Sequence, residues 1–356
     1  MIRRSGRLQT LLLVCAVVAG CASRPDQPTA GELTPTLSAD CALVDDIPWQ
    51  AVAPSVWVWL PPGEADVDTS NQGHVVPTAV VVDQGEAIVI DPGPSHRHGQ
   101  RLRHALACRF GARPTWIVNT HAHAENVLAN SAFADLQQAG HLRIGASMPT
   151  REAMRARCPD CLVSLTRRVG TQAMQDTHIV LPDVTLTEGM HLRAGRRDLQ
   201  VLKIRHGHTE GDLQLWDADH GVLFAGGLVY GQRLPELAQG RLDEWLAALD
   251  GLSRLPVREV IGLTWSRGGP GHLPPAMAST RDYLSGLRTA VLRAMDEGLL
   301  VQDAETVPVP MARTWAGYAQ RHGFNVLRAW RELEPVWMEQ GSVPAPPAPS
   351  VDQSRR

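Results

Sequence analysis

The stretch Thr120-His121-Ala122-His123-Ala124-Glu125-Asn126 follows directly on Pro114-Thr115-Trp116-Ile117-Val118-Asn119, a short apolar run that reads as a buried strand. Two imidazoles two residues apart at a strand end can point the same way and grip one metal ion. Further His residues, His208 and His272, also fall just after apolar runs or in the loops leaving them. Loops at strand ends are where groups from distant parts of a chain converge. Three neutral imidazoles and a water make a tetrahedral zinc site of the catalytic kind, with one open position.

The 356 residues allow one large domain or two small ones. A net charge of -3 and the absence of a basic face interleaved with aromatics exclude nucleic acid as a partner. The N-terminus reads as a targeting segment. Met1 to Arg7 is basic, and residues 8–19 are apolar but too short to span a bilayer. Val18-Ala19-Gly20-Cys21 resembles a bacterial lipobox, which makes residues 1–20 a lipoprotein signal peptide and Cys21 the lipidation site. A secretory signal cleaved near Ala22-Ser23, or an uncleaved anchor, is the alternative. In either case the expected compartment is the cell envelope, facing the periplasm, with the membrane reached through the N-terminal lipid.

Outside the reducing cytosol, cysteines pair. Cys158-Pro159-Asp160-Cys161 reads as half a zinc site, a redox pair or a local disulfide, and an oxidising compartment favours the disulfide. Cys41 and Cys108 are then the remaining pair.

Residues 21–50 read as a flexible tether, residues 51–300 as the folded domain, residues 301–340 as a C-terminal helical extension and residues 341–356 as a disordered tail. Within the domain, strands are expected at residues 55–60, 74–82, 87–90, 179–181, 184–186, 199–204, 213–217, 221–224 and 259–263. Helices are expected at residues 99–111, 127–139, 150–157, 163–175, 242–252, 276–298 and 311–339. Each half has strands followed by helical cover, which fits an α+β sandwich of two sheets with helices outside.

The site residues resemble those of the metallo-β-lactamase-fold hydrolases. The matching pieces are His121-Ala122-His123-Ala124-Glu125-Asn126, Gly207-His208-Thr209-Glu210-Gly211-Asp212, Leu223-Phe224-Ala225-Gly226-Gly227 and Pro270-Gly271-His272-Leu273. The resemblance implies a four-layer αββα sandwich, a first metal on His121, His123 and His208, and supporting hydrogen bonds from Asp91 and Asp212. It also implies a second ion, held by an Asp and a His where this chain has Glu125 and Asn126, by a bridging Asp where it has Gly227, and by His272. Two cations about 3.5–4 Å apart need anionic ligands between them. The second site is therefore expected to be degenerate and the cofactor to be one zinc ion. Glu125 is then free to act as general base on the water, as a non-ligand Glu does in zinc proteases, with His272 orienting substrate or carrying a proton.

A narrower resemblance is to the quinoprotein relay system zinc metallohydrolases, through Arg157-Cys158-Pro159-Asp160-Cys161-Leu162, Leu228-Val229-Tyr230-Gly231-Gln232-Arg233 and Arg321-His322-Gly323-Phe324-Asn325. It implies a periplasmic quinoprotein (PQQ) dehydrogenase as partner, beside a small-molecule substrate. Two readings follow: a single-zinc hydrolase, or a pseudoenzyme that keeps the pocket for binding.

Overall fold

The computed structural model describes residue 41, residues 46–63 and residues 66–341. The expected signal peptide with Cys21, most of the expected tether and nearly all of the expected tail lie outside the described residues. The first sheet runs in sequence order: β1 (Gln50–Ala53), β2 (Val56–Trp59), β3 (Thr78–Asp83), β4 (Glu86–Ile90), β5 (Arg113–Val118), β6 (Arg143–Ala146) and β7 (Val184–Thr185). It is antiparallel up to β4 and parallel from there to β7. The second sheet starts with β8 (His191–Ala194) and β9 (Arg197–Val201). A two-stranded ribbon of β10 (Arg205–His206) and β11 (Glu210–Asp212) intervenes. The sheet resumes with β12 (Leu215–Asp217), β13 (Val222–Phe224), β14 (Glu259–Ile261) and β15 (Trp265–Arg267), in the order β15-β14-β13-β12-β9-β8.

The central strands are covered on both faces, which is why they read as continuous apolar runs rather than alternating ones. Ala79, Val81, Ile88, Ile90 and Val118 turn inward against Leu199, Val201, Leu215, Val222 and Phe224 of the second sheet. Val80, Val89 and Ile117 turn outward against Leu102 and Leu106 of α1 (His96–Cys108). Three more helical pieces follow on this side: α2 (Ala124–Val127), α3 (Ala134–Gln138) and α4 (Met148–Val169). Leu223 and Val260 face α5 (Leu242–Leu252), α6 (Pro275–Asp296) and α7 (Tyr318–Gly341). The result is the αββα sandwich expected, with extra C-terminal helices. Val326, Ala329, Trp330 and Leu333 of α7 share a core with the second sheet, so this extension is built into the fold.

The differences from the sequence reading have local causes. The folded part begins before residue 51: Ile47 and Trp49 are buried, and Cys41 is disulfide-bonded to Cys108 at the end of α1. Helix α4 runs unbroken where two helices were expected. Its buried residues Met154, Cys158, Leu165 and Val169 keep one face across Pro159. The carbonyl that Pro159 leaves without a donor belongs to exposed Arg155. That continuity overturns the expected Cys158–Cys161 disulfide. Both are free thiols. Residues three apart on a helix hold their Cβ atoms about 5–6 Å apart, beyond the reach of an S–S bond. No strand forms at 179–181. Among the described residues no helix is long and apolar enough to cross a membrane.

Beneath β2 lies a packed pair of histidines. His98 stacks on Trp59 with ring centroids 3.9 Å apart, and His74 meets both rings edge-on at 4.7 Å. Burial, with the Arg101 charge adding to it, lowers the His74 pKa from 6.5 to about 4. The unfolded chain therefore protonates His74 before the folded one does. The stability that this neutral imidazole confers is complete above pH 6.5 and is lost as pH falls toward 4. Urea unfolding across that window is expected to show the slope of stability against pH reduced in His74→Phe by up to about 1.4 kcal/mol per pH unit. An unchanged slope would mean that His74 takes up its proton equally in both states.

Candidate metal centre

Two loops at one end of the sandwich carry the three histidines. The first leaves β5 through Asn119 and Thr120, and His123 keeps extended backbone before α2 begins, so His121 and His123 project together. The second lies between β10 and β11. Asp212, fully buried, gathers this loop by accepting the N–H groups of Gly207 at 3.1 Å, His208 at 2.7 Å and Thr209 at 3.1 Å, and the Thr209 hydroxyl at 2.6 Å.

Asp91 does the same for the first loop. Its two carboxylate oxygens accept the Thr120 N–H at 2.9 Å and the Thr120 hydroxyl at 2.7 Å. Burial pushes its pKa up to about 7, opposed by Thr120 and by a hydrogen bond from the Asn126 side chain.

Local hydrogen bonds set which nitrogen is free in the His121 and His208 rings. The Thr120 hydroxyl has committed its proton to Asp91, so it accepts from His121 Nδ1 at 2.9 Å. That leaves His121 Nε2 as a lone pair, and it is buried with no partner. His208 Nδ1 donates to the Glu236 carbonyl at 3.0 Å, which aims Nε2 at His123 Nδ1, 3.2 Å away. One ligand atom from each of the three rings lies within 4.8 Å of the other two. A buried acceptor without a donor costs about 1–3 kcal/mol, and a cation at this point would satisfy it. Burial lowers all three pKa values, to about 4 for His123 and His208 and well below normal for His121. The rings are therefore neutral near pH 7, the form that binds metal. The donor set fits a metal ion.

The other expected site residues are placed differently. The Glu125 carboxylate stands 3.8 Å from His123 Nδ1 but is not one of the three converging donors. Burial, reinforced by Glu236, raises its pKa. Asn126 is buried and engages Asp91. Gly227 packs against the back of His208: a Cβ there would lie 2.4 Å from the His208 Cδ2 atom. Gly226, at φ +52°, packs likewise against the Thr120 hydroxyl, at 2.4 Å from its own would-be Cβ. The Gly-Gly turn is thus the close approach that lets both histidine loops meet.

His272 is not in this centre. Strands β13 and β14 run parallel, so the end carrying Ala225–Gly227 is the end where Ile261 leads into Gly262. His272 is exposed in the loop after β15, where Gly268 bonds to Arg258 at the opposite end of β14. The residues leaving β14 on the metal-centre side are Gly262, Leu263 and Thr264, with no histidine among them.

The structure also brings in residues that sequence reasoning missed or left undecided. Tyr230 is both core and site: it is buried, and its hydroxyl lies 3.3 Å from His208 Nδ1. Glu236, Arg157, Arg168, Arg233 and Arg321 line the cleft beside His123 and Glu125. The signal for Arg157 and Arg168 was present as a spacing of eleven, three helical turns, and was hidden by dividing α4 at Pro159.

Residues 72–265 match the family model described as the metallo-beta-lactamase superfamily. An acyl-coenzyme A thioesterase, MBLAC2, of Bos taurus is 26% identical over 204 residues, 52% of this chain and 68% of that protein. A hydroxyacylglutathione hydrolase of Bdellovibrio bacteriovorus is 29% identical over 86 residues, 24% of this chain and 34% of that protein. Among solved structures, a metallo-beta-lactamase from Pontibacter korlensis shares the fold with a TM-score of 0.51 at 20% identity, covering 67% of this chain and 99% of that one. With the family model spanning more than half of its length and the αββα layers in place, the chain belongs to the metallo-β-lactamase superfamily.

Proposed function

We propose that this protein is a single-zinc hydrolase of the cell envelope that cleaves an ester or thioester. The observation that carries this reading is the buried, partnerless His121 Nε2 facing two other neutral imidazoles. Zinc held by His121, His123 and His208 would supply a Lewis acid and lower the pKa of a coordinated water. The chain supplies the rest. Glu125 can take a proton from a water beside His123. The Asp91–Thr120 pair and the Glu236 carbonyl hold the His121 and His208 rings in their ligand tautomers. The Tyr230 hydroxyl offers a hydrogen bond next to His208. An acyl carbon as the point of attack is supported by the two relatives, whose names both concern an acyl group.

In this reading the second ion site is degenerate. Glu125, Asn126 and Gly227 occupy three of its positions, and His272 stands elsewhere. The envelope location and the lipid anchor rest on Met1–Cys21, and membership of the quinoprotein relay branch, with a periplasmic quinoprotein dehydrogenase as partner, on the motif resemblances alone. The same substitutions favour a second reading, in which the protein is an accessory binder without catalysis.

Zinc titration of the chelated protein discriminates. About one equivalent is expected, abolished by His208→Ala, with hydrolysis of simple esters or thioesters by the loaded form. Two equivalents would sink the single-ion reading. One equivalent without turnover of any acyl ester would favour the accessory protein.

A further inference from the structure

The cleft beside His123, about 260 Å³ in volume, holds more positive charge than its own carboxylates neutralise. Four arginines line it: Arg157, Arg168, Arg233 and Arg321. Two of them are spent. Arg321 donates through Nε to Glu236 at 2.6 Å and also to Asp66. Arg233, with only 9% of its side chain exposed, donates to the Val75 carbonyl at 3.2 Å and stands 3.7 Å from the same Asp66. The other two are not. Arg157 bonds to the neutral Gln239 amide. Arg168 makes no hydrogen bond or ion pair with any described residue, and its charge acts at a distance on the exposed Asp68.

Both unspent arginines sit on one face of α4. Arg157, Cys161, Ser164 and Arg168 all line the cleft, at spacings of four, three and four. Eleven residues of helix put the two guanidinium-bearing positions about 16 Å apart along the axis. The histidine loop packs on the same stretch of helix: Ala122 and Val127 against Met154 and Cys158, just before and after Arg157, and Ala124 and Leu128 against Leu165, just before Arg168. Helix α4 therefore presents beside the metal-ligand loop two guanidinium groups that no carboxylate among the described residues pairs. Charges of one sign in a walled cleft raise the local concentration of the opposite ion, and arginine forks match the oxygens of carboxylate and phosphate.

We propose that the substrate is anionic: an acyl ester or thioester bearing a carboxylate or phosphate remote from the scissile carbonyl, bound by Arg168, with Arg157 guiding the part nearer the metal ligands. This rests on the hydrolase reading above, and one arm of its test is independent of that reading.

Calorimetry with glutarate and with inorganic pyrophosphate, on chelated and on zinc-loaded protein, tests the anion site without turnover. At least one probe is expected to bind, and its identity separates a carboxylate site from a phosphate site. Arg168→Gln, an exposed change that leaves the core intact, is expected to weaken that probe about tenfold. Kinetics form the second arm. For two esters of the same acyl group, one anionic and one neutral, Arg168→Gln is expected to lower the anionic-to-neutral ratio of kcat/KM about tenfold, with the loss in KM. Arg168-dependent probe binding without hydrolysis of either ester would retain the anion site and sink the hydrolase. Hydrolysis with a ratio that Arg168→Gln leaves unchanged would do the reverse. Failure of both probes to bind wild-type protein at millimolar concentration overturns the proposal.

Discussion

Glu125→Gln is expected to leave zinc bound at one equivalent while lowering kcat by about 10²- to 10⁴-fold, the range that a positioned general base contributes. Gln keeps the length and volume of the side chain but is neutral and cannot accept a proton. The carboxylate stands 3.8 Å from His123 Nδ1, close to the ligand cluster but outside it. A role as proton acceptor therefore predicts that kcat and metal content separate. A role as metal ligand predicts that both fall together, since losing an anionic ligand weakens the ion. A role confined to packing predicts that neither changes. Measuring zinc content and single-turnover rate on the same preparation distinguishes the three. Full activity in the variant would end the case for Glu125 as base. Glu125→Asp adds a geometric check. One methylene fewer draws the carboxylate back from the position that Glu125 reaches, so part of the rate should be lost although the charge is kept.

Much of this centre was legible in the chain because its ligands are local. His121 and His123 follow a strand at a spacing of two, and His208 is held by an Asp four residues on, so each half-site is encoded within a few residues. The sandwich was legible for a similar reason: strands buried on both faces, such as β3 and β4, are written as unbroken apolar runs. What failed were features decided by tertiary contact. The Pro270-Gly271-His272 match has the right letters, but the strand it was assigned to ends at Ile261, and β15 carries the chain back to the wrong end of the sheet before His272 is reached. Pro159 looked like a helix end, but the buried stripe from Met154 to Val169 outweighs one lost hydrogen bond. That misjudgement concealed the helix face carrying Arg157 and Arg168, and it made a disulfide of Cys158 and Cys161 seem feasible. Glu236 contributes through its backbone carbonyl, which no side-chain pattern announces.

Gly227 is where the second large effect is expected. From sequence alone it looks like a missing ligand that an Asp would restore. The structure gives it a different meaning: the space into which a side chain at 227 would grow already contains the His208 ring, with Cδ2 at 2.4 Å, Cγ at 3.0 Å and Cβ at 3.3 Å from the would-be Cβ. None of these is the far end of a flexible chain. The ring is held on one side by its bond to the Glu236 carbonyl and backed by Tyr230 and Trp245, with centroids 5.6 Å and 5.5 Å away. Gly227→Ala must therefore tilt His208 or push apart the two loops that meet at the Gly-Gly turn. Overpacking of this kind costs about 1–3 kcal/mol of stability. Misaligning a ligand ring is expected to cost at least the 10- to 100-fold in metal affinity typical of a lost supporting contact. Gly227→Asp should do the same, and it should not create a second ion site, because its carboxylate can enter only by displacing a ligand of the first. Zinc affinity measured by competition with a chelator, with circular dichroism to confirm the fold, tests both variants. If Gly227→Asp binds two ions with the first affinity intact, His208 has room to spare and the single-ion reading loses its steric support. If zinc affinity drops in both variants while the fold survives, the absence of a bridging carboxylate follows from how this site is packed and not merely from a residue exchanged at its edge.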